Sequence, residues 1–216
     1  MLKPLVIIGA GGHASVLVDI LLSQGRQILA FVSPKSRFMR RVFSGIPQIF
    51  SDHDIDRFGV DEVMLVNGLG MLPGSKIREE IHQHYCSLGY EFETVIAVSA
   101  EVSEFAVLGQ GVQVLSKAVI QAGAYVGDQT IINSGALLEH DCRLGALNHV
   151  ASQATLCGQV RTEDNVFVGA GATIIQNICL GRQSVVGAGA VLVNNLEEGA
   201  THYASRGTTK VAKLSS

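Results

Sequence analysis

Aliphatic residues recur at every sixth position through the second half of the chain, followed four places later by mostly small residues. The aliphatic column, interrupted once at Thr162, comprises Ile96, Val102, Leu108, Val114, Ile120, Val126, Ile132, Leu138, Leu144, Val150, Leu156, Val168, Ile174, Leu180, Val186 and Leu192. A helix repeats about every 3.6 residues and a strand every two, so a period of six indicates a repeat architecture. Six residues provide one short strand and a turn, and three hexads close one triangular coil. Each coil buries its aliphatic column only by stacking on the next.

The phase of the hexads predicts where individual side chains lie on a coil. We take residues 138–143, 144–149 and 150–155 as the three sides of one coil. This phase puts His140 near the middle of the first side and His149 at the corner opposite that side. The packed core should then separate the two histidines of one chain.

Residues one coil apart should lie above one another on the same face. A coil is 18 residues, and 158 − 140 = 18, so Gly158 should lie next to His140. A residue without a side chain at this place should leave room for a ligand beside the histidine. Ala170 and Ala188 form a second such pair on a different face, since 188 − 170 = 18.

The first part of the chain has a different hydrophobic pattern, in which short apolar runs alternate with helical segments. The predicted strands are residues 5–8, 28–32, 63–66 and 92–96, and the predicted helices are residues 14–23 and 75–88. This alternation indicates a small parallel α/β domain. We therefore divide the chain into residues 1–95 and residues 96–216. Their boundary lacks the composition of a linker, so the two parts should pack together.

Composition and charge argue against a nucleic-acid-binding protein and against a membrane-spanning protein. The 216 residues are 47% hydrophobic and 16% charged, with a net charge of −3, which gives no basic footprint for nucleic acid. The apolar runs are too short for a membrane span, and the N-terminus lacks the pattern of a signal peptide. Four cysteines without metal-type spacing are then expected to be reduced thiols. These features predict a cytoplasmic protein.

A glycine-rich turn follows the first predicted strand. Residues 9–14, GAGGHA, fit the pattern G-x-G-x-x-A, in which backbone amides and a helix N-terminus receive a diphosphate. The acid expected about twenty residues later for a dinucleotide is missing from residues 30–34, although Lys35 and Arg37 could meet a phosphate. Three interpretations stay open: a nicotinamide cofactor, another diphosphate ligand, or a tight turn alone. His13 would lie beside either ligand.

His140 has the surroundings of a general base. It leaves the core columns and is flanked by Glu139 and Asp141, with Asn133 seven residues earlier. A carboxylate can fix the tautomer of an imidazole and stabilise its charged form. The alternative is an ordinary surface histidine. His149 is the second histidine in the repeats, and two are too few for a three-ligand metal site.

Several segments together resemble one family. They are the glycine-histidine turn at residues 9–13, Asn133, the triplet at residues 139–141, residues 148–150 (NHV) and residues 186–190 (VGAGA), in addition to the hexads. The chain resembles, over nearly its whole length, the bacterial nucleotide-sugar and sialic acid acetyltransferases of the left-handed parallel β-helix type. This family includes N-acetyltransferases of UDP-4-amino-4,6-dideoxy sugars, perosamine N-acetyltransferases and sialic acid O-acetyltransferases.

The resemblance implies a Rossmann-like N-terminal domain that holds a nucleotide sugar, followed by a left-handed parallel β-helix. It further implies a homotrimer with acetyl-CoA bound between neighbouring β-helices. His140 would be the general base and Asp141 its carboxylate partner. The implied substrate-binding residues are Gly11, Gly12, His13 and Asn133, and the implied acetyl-CoA residues are His149, Gly158, Ala170 and Ala188. Relatives often carry an acidic pair after the second strand, where this chain has residues 32–34 (VSP).

The expected reaction is acetyl transfer from acetyl-CoA to the 4-amino group of a UDP-linked amino-dideoxy sugar in bacterial surface-glycan biosynthesis. The amine, deprotonated by His140, would attack the thioester directly. One alternative is O-acetylation of a sialic-type sugar with the same residues. An alternative of another class is a non-catalytic scaffold that binds a nucleotide sugar.

Overall fold

The computed structural model of the chain describes residues 2–34 and 40–205, which form an α/β domain followed by a triangular parallel β-helix. Within these residues the first domain contains helices α1 (Gly12–Ser23) and α2 (Ile77–Ser87) and 3-10 turns Arg41–Phe43 and Asp52–Arg57. Its parallel sheet consists of β1 (Leu5–Ile8), β2 (Ile28–Val32), β3 (Gln48–Ile49) and β4 (Met64–Asn67). The strand order β3-β2-β1-β4 is that of one half of a doubly wound sheet.

The ends of β1 and β4 bring two loops close together. Gly9 follows β1 with a φ of +102°, in the left-handed region that favours glycine. Gly68 follows β4, and a Cβ on it would lie 2.7 Å from both the Ile8 carbonyl oxygen and the Ala14 Cβ. The β4 loop can therefore pack against the start of α1 only because residue 68 lacks a side chain.

Two predicted elements of this domain are shorter than expected. Helix α2 begins at Ile77, after Lys76 as the N-cap without a side-chain cap bond. The last predicted strand, residues 92–96, is reduced to Val95–Ile96, because Phe92 still pairs with Leu65 in the first sheet. The chain crosses from the sheet to the β-helix between these two pairings.

The β-helix consists of strands of two residues each. Their bounds are β5 (Val95–Ile96), β6 (Glu101–Val102), β7 (Val107–Leu108), β8 (Gln113–Val114), β9 (Val119–Ile120), β10 (Tyr125–Val126), β11 (Ile131–Ile132), β12 (Leu137–Leu138), β13 (Arg143–Leu144), β14 (His149–Val150), β15 (Thr155–Leu156), β16 (Arg161–Thr162), β17 (Phe167–Val168), β18 (Thr173–Ile174), β19 (Cys179–Leu180), β20 (Val185–Val186), β21 (Val191–Leu192) and β22 (Thr201–His202).

Strands one coil apart pair in parallel and build the three sides of the triangle. The β12 face contains β6, β9, β12, β15, β18 and β21; the β13 face contains β7, β10, β13, β16 and β19; the β14 face contains β5, β8, β11, β14, β17, β20 and β22. Leu137 pairs with Thr155 and Leu138 with Leu156, which is the predicted spacing of 18 residues. The second residue of each central strand points inward, so Leu138, Leu144 and Val150 are buried in one continuous core.

The interruption at Thr162 is compensated inside the core. Asn148 is also buried, and its Nδ2 donates to Thr162 Oγ1 at 2.6 Å and to the Gly145 carbonyl oxygen at 3.0 Å. Its Oδ1 accepts from the backbone N–H of Val166 at 2.6 Å. A buried polar pair with its bonds satisfied replaces an aliphatic contact without leaving an unpaired group.

The predicted phase of the hexads is wrong by half a side. His140 and Asp141 form the turn between β12 and β13, so His140 lies at a corner and not in the middle of a side. His149 is the first residue of β14 and lies within a side and not at a corner. The corner between β12 and β13 is opposite the β14 face, so the predicted separation of the two histidines remains.

The two parts pack together through a shared apolar cluster. Val95, Ala97 and Leu115 from the β-helix belong to the same buried cluster as Leu17 and Val18 of α1. Burial of these side chains fixes the glycine turn over the β14 face. Among the residues that the structure describes, no helix is both long and apolar enough to span a bilayer.

Candidate functional site

The glycine turn forms the outer wall of the candidate site. Gly11 is the N-cap of α1, and both Gly11 and Gly12 are exposed, so the first amides of the helix are open to solvent. Lys35 and Arg37 lie outside the described residues. Arg40 is described, and its Nη2 lies 3.7 Å from the position that a Cβ on Gly12 would occupy. Free amides and a guanidinium beside them can together receive an anion.

His13 is held as a neutral hydrogen-bonding group. Its Nε2 lies 2.7 Å from Gln113 Oε1, while Gln113 Nε2 donates to the Asn67 carbonyl oxygen at 2.8 Å. Because that second bond fixes the orientation of the amide, His13 Nε2 carries the proton and Nδ1 is left as an acceptor. Burial, followed by the positive charge of Arg78, lowers the pKa of His13 to about 4.

Arg78 is the buried cation of this region, and the sequence analysis missed it. Its guanidinium donates to the carbonyl oxygens of Asn67, Leu69 and Gln129, with distances of 3.1 Å to Asn67 and 3.0 Å to Gln129. Burial lowers the pKa of Arg78 to about 9. These bonds join the β4 loop to a corner of the β-helix and so fix the loop that faces His13.

His149 and Asn133 lie on the β14 face, beneath the same loop. His149 Nδ1 lies 3.2 Å from the Met71 carbonyl oxygen and donates to it, so Nε2 accepts from Asn133 Nδ2, also at 3.2 Å. The ring packs edge-on against Phe167 at a centroid distance of 5.0 Å. Burial is the main reason that the pKa of His149 is lowered to about 4, and Arg78 adds to the effect.

These two neutral histidines predict acid sensitivity. Between about pH 6.5 and pH 4 the unfolded chain binds protons at both residues that the folded chain excludes. The free energy of unfolding should therefore fall as the pH falls through this window, by up to about 3 kcal/mol for His149. Urea unfolding of wild type and His149→Gln at pH 7.5 and pH 5, at one protein concentration, measures the difference in slope.

The matched control for this measurement is His84→Gln, at an exposed histidine of α2. It should keep the pH slope of the wild type, whereas His149→Gln should flatten it. Equal slopes in all three proteins would contradict the buried neutral state of His149.

The His140–Asp141 pair lies at the corner between β12 and β13, with 60% and 58% of the two side chains exposed. His140 Nδ1 lies 2.9 Å from Asp141 Oδ2 and donates to it, which leaves the Nε2 lone pair as the proton acceptor. The carboxylate thus fixes the tautomer that a general base requires.

Gly158 lies against His140, as the spacing predicted. The space where a side chain of residue 158 would lie is, however, already filled. A Cβ on Gly158 would lie 2.6 Å from His140 Nε2 and 2.7 Å from its Cε1. The imidazole itself occupies the room that we expected for a ligand. Nε2 lies against Gly158 and makes no hydrogen bond to the described residues, and any side chain at residue 158 would displace the ring.

Within one chain the predicted site residues lie in two separate places, one beside the β14 face and one at the corner opposite to it. Ala170 and Ala188 are exposed at the corner between the β14 and β12 faces, so they lie on the side of His149 and Asn133. Gly158 lies with His140 at the corner opposite the β14 face. Within one chain the structure therefore does not bring His140 together with the glycine turn.

Two other kinds of site, a cysteine nucleophile and a metal centre, find no support in the described residues. Cys142 is buried, and burial raises the pKa of its thiol to about 11, which keeps it protonated. Among the same residues, no group of three or more histidine, cysteine or acidic side chains is placed to hold a metal ion. The groups arranged for chemistry are the histidine–aspartate pair and the glycine turn.

Comparison with known proteins gives a family match for the first domain. A family model described as the PglD N-terminal domain matches residues 4–85. Over 107 residues the chain is 26% identical to GDP-perosamine N-acetyltransferase of Escherichia coli O157:H7, an alignment that spans 50% of this chain. The aligned segment spans 48% of that relative, or about half of its length.

Solved structures match almost the whole chain. A mutant of perosamine N-acetyltransferase from Caulobacter crescentus, in complex with CoA and GDP-perosamine, is 31% identical with a TM-score of 0.83 and 94% coverage of each chain. The acetyltransferase domain of PglB from Neisseria gonorrhoeae, in complex with acetyl coenzyme A, is 30% identical with a TM-score of 0.84. That match covers 93% of this chain and 96% of the other. The predicted α/β domain followed by a left-handed parallel β-helix is thus confirmed.

Proposed function

Since this chain belongs to the hexapeptide-repeat family of nucleotide-sugar acetyltransferases, we propose that it transfers acetyl from acetyl-CoA to the amine of a nucleotide-linked amino sugar. The observation that carries the proposal is the His140–Asp141 hydrogen bond at an exposed corner, where Nε2 makes no hydrogen bond to the described residues. Such a pair can accept a proton from an amine. A scaffold that only binds a nucleotide sugar has no use for it.

The chemical step follows from the tautomer of His140. Nε2 accepts the proton that the sugar amine loses as it attacks the thioester carbonyl. Asp141 stabilises the imidazolium that forms, and the same proton can then pass to the departing thiolate. Base catalysis of this kind contributes about 10²–10⁴-fold, and holding the two substrates together supplies much of the remainder.

The nucleotide end of the substrate is assigned to the glycine turn. Open amides at the start of α1 and the nearby guanidinium of Arg40 offer positive groups to a diphosphate. β2 ends at Val32, and Ser33 and Pro34 provide no carboxylate for a ribose. The missing carboxylate argues against a nicotinamide cofactor, for which such an acid is typical, and it also sets this chain apart from relatives that carry an acidic pair there.

The specific acceptor that we propose is a UDP-linked 4-amino-dideoxy sugar. GDP-perosamine, which is bound in the Caulobacter crescentus structure, is the competing nucleotide sugar. Two of the similar proteins are named as N-acetyltransferases, which favours an amine over the hydroxyl of a sialic acid.

Thiol release from acetyl-CoA tests the proposal. UDP- and GDP-linked 4-amino sugars and free sialic acid are supplied in turn, and the acetylated product is identified by mass spectrometry. We expect turnover with an amino-sugar nucleotide and none with sialic acid. Turnover with sialic acid alone would replace the proposal by O-acetylation, and no turnover with any acceptor would support a binding protein.

Assembly as a homotrimer is part of the proposal. The exposed His140 corner and the β14 face with its glycine turn are two halves of one site that a single chain holds apart. In a threefold ring, the corner of each subunit can face the β14 face of the next. Acetyl-CoA would then lie between subunits, beside His149, Ala170 and Ala188 on one side and Gly158 on the other.

His13→Ala should raise KM for the nucleotide sugar about 3- to 10-fold, the cost of one hydrogen bond, and leave KM for acetyl-CoA unchanged. The reason is that neutral His13 offers Nδ1 as an acceptor beside the glycine turn. Steady-state kinetics with each substrate varied in turn measure the split. His84→Ala, at an exposed histidine of the same domain, is the control.

Two other results would contradict the assignment of the glycine turn to the nucleotide sugar. If NAD or NADP bound in the micromolar range by calorimetry, the turn would be a dinucleotide site. If His13→Ala instead raised KM for acetyl-CoA, His13 would belong to the other substrate.

A further inference from the structure

The corner that carries the base has a glycine on each side of the His140–Asp141 pair. Residues of the neighbouring coils lie above and below it, because strands one coil apart are in register. Gly123 is one coil before Asp141, and Gly158 is one coil after His140. Each glycine faces a different member of the pair, so the pair lies between two positions without side chains.

Gly123 is in contact with the carboxylate. A Cβ on Gly123 would lie 2.4 Å from Asp141 Oδ1 and 3.4 Å from its Cγ. Oδ2 of the same carboxylate accepts the bond from His140 Nδ1. A methyl group at residue 123 would therefore push away the carboxylate that orients the imidazole.

The backbone conformation does not by itself require a glycine at residue 123. Its φ of +76° is left-handed, but the same position in other turns is taken by Lys117, Leu147 and Asn177 with φ of +60°, +56° and +63°. The β-helix thus tolerates ordinary side chains in this conformation. What distinguishes residue 123 is the carboxylate lying where its side chain would be.

We infer that Gly123 is a positioning residue for the proposed acetyl transfer. It acts through Asp141, because it keeps the space in which the carboxylate meets His140 Nδ1. Gly158 has the corresponding part for the imidazole, since it keeps the space in which the ring lies. This inference rests on the proposed function of His140, and nothing in it assigns Gly123 a contact with either substrate.

Gly123→Ala tests the inference. It should lower kcat about 10-fold and leave KM for acetyl-CoA and for the nucleotide sugar unchanged, because binding surfaces are untouched while the base loses its orientation. Gly199→Ala is the matched control: its φ of +67° is equally left-handed, no atom lies within 4 Å of the added Cβ, and it belongs to another corner. It carries the same backbone strain and should keep the kcat of wild type.

A double-mutant cycle separates positioning from general damage. Asp141→Ala removes the carboxylate with which the new methyl group would collide. If Gly123 acts through Asp141, adding Gly123→Ala to Asp141→Ala should leave kcat within about 2-fold of the single Asp141→Ala variant. Multiplying losses would mean that residue 123 acts on something else and would overturn the inference.

The remaining outcomes also decide between the claims. Wild-type kcat in Gly123→Ala would overturn the inference and leave the proposed function standing, provided that His140→Ala is inactive. Equal loss in Gly123→Ala and Gly199→Ala would attribute the effect to backbone strain, again against the inference. Full activity of His140→Ala would remove the base itself, and both claims would then fail.

Discussion

His140→Ala should lower kcat by at least about 10²-fold, with little change in the binding of acetyl-CoA. Nδ1 of His140 donates to Asp141 at 2.9 Å, which leaves the Nε2 lone pair of the imidazole to accept a proton. Removing the imidazole should leave most of the donor site intact, since His149, Ala170 and Ala188 lie on another part of the β-helix and Gly158 offers only its backbone. Thiol release at saturating substrates and calorimetric titration with CoA measure the two quantities.

Asp141→Asn is the graded control for this experiment. An amide can still accept from Nδ1–H through its oxygen, but it does not stabilise the imidazolium as a carboxylate does. The variant should therefore lose less activity than His140→Ala. Near-wild-type turnover in His140→Ala would remove His140 from the base role, and a larger loss in Asp141→Asn would make Asp141 the more important group.

The core of the β-helix could be predicted because its signal is repeated. A column in which Val126, Leu138 and Leu144 stand six residues apart has one physical solution, in which every coil supplies the same inward position. The phase of strand and turn was not predictable from that column alone. His140 stands two places after the inward Leu138, and the aliphatic column alone does not say whether that position is on a straight side or at a corner. The positions of the residues with left-handed φ decide this.

The contacts of the β14 face were harder to predict because they join distant parts of the chain. Its outward column is unusually apolar, through Ile131, Phe167 and Val185, and this could have indicated a covered face. Gln113 stands in the same column, but its bond to His13 joins residues 100 positions apart. A hexad pattern contains no information on such a pairing.

Arg78 shows a second limit of the sequence. In a helix rich in charged residues it looks solvated, although it stands three residues before Ile81 and seven before Tyr85, which is the spacing of one buried helix face. Its partners are backbone carbonyls of the β4 loop and of Gln129. Every residue type has a backbone carbonyl, so the sequence does not indicate which residues accept these bonds. The burial of the cation follows from the docking of the two domains, which the sequence predicts only in outline.

Mixed trimers of His140→Ala and His149→Ala should recover about one quarter of wild-type activity, although each mutant alone is weak. In the proposed ring each site combines the corner of one subunit with the β14 face of the next. With equal, random mixing, half of the corners keep His140 and half of the faces keep His149, so about a quarter of the sites are intact. The two proteins are unfolded together, refolded, and assayed after mass spectrometry has shown the mixed species.

Each mutant homotrimer, unfolded and refolded in the same way, gives the baseline. His149 is buried against Met71 and Phe167, so the thermal stability of its variant must show that the protein still folds. Recovery well above the average of the two baselines requires that His140 and His149 of different chains serve one site. Activity at that average, with mixed trimers present, would place the whole site in one chain or exclude His149 from it. The geometry argues for recovery, because the core of the β-helix lies between the His140 corner and the β14 face of the same chain.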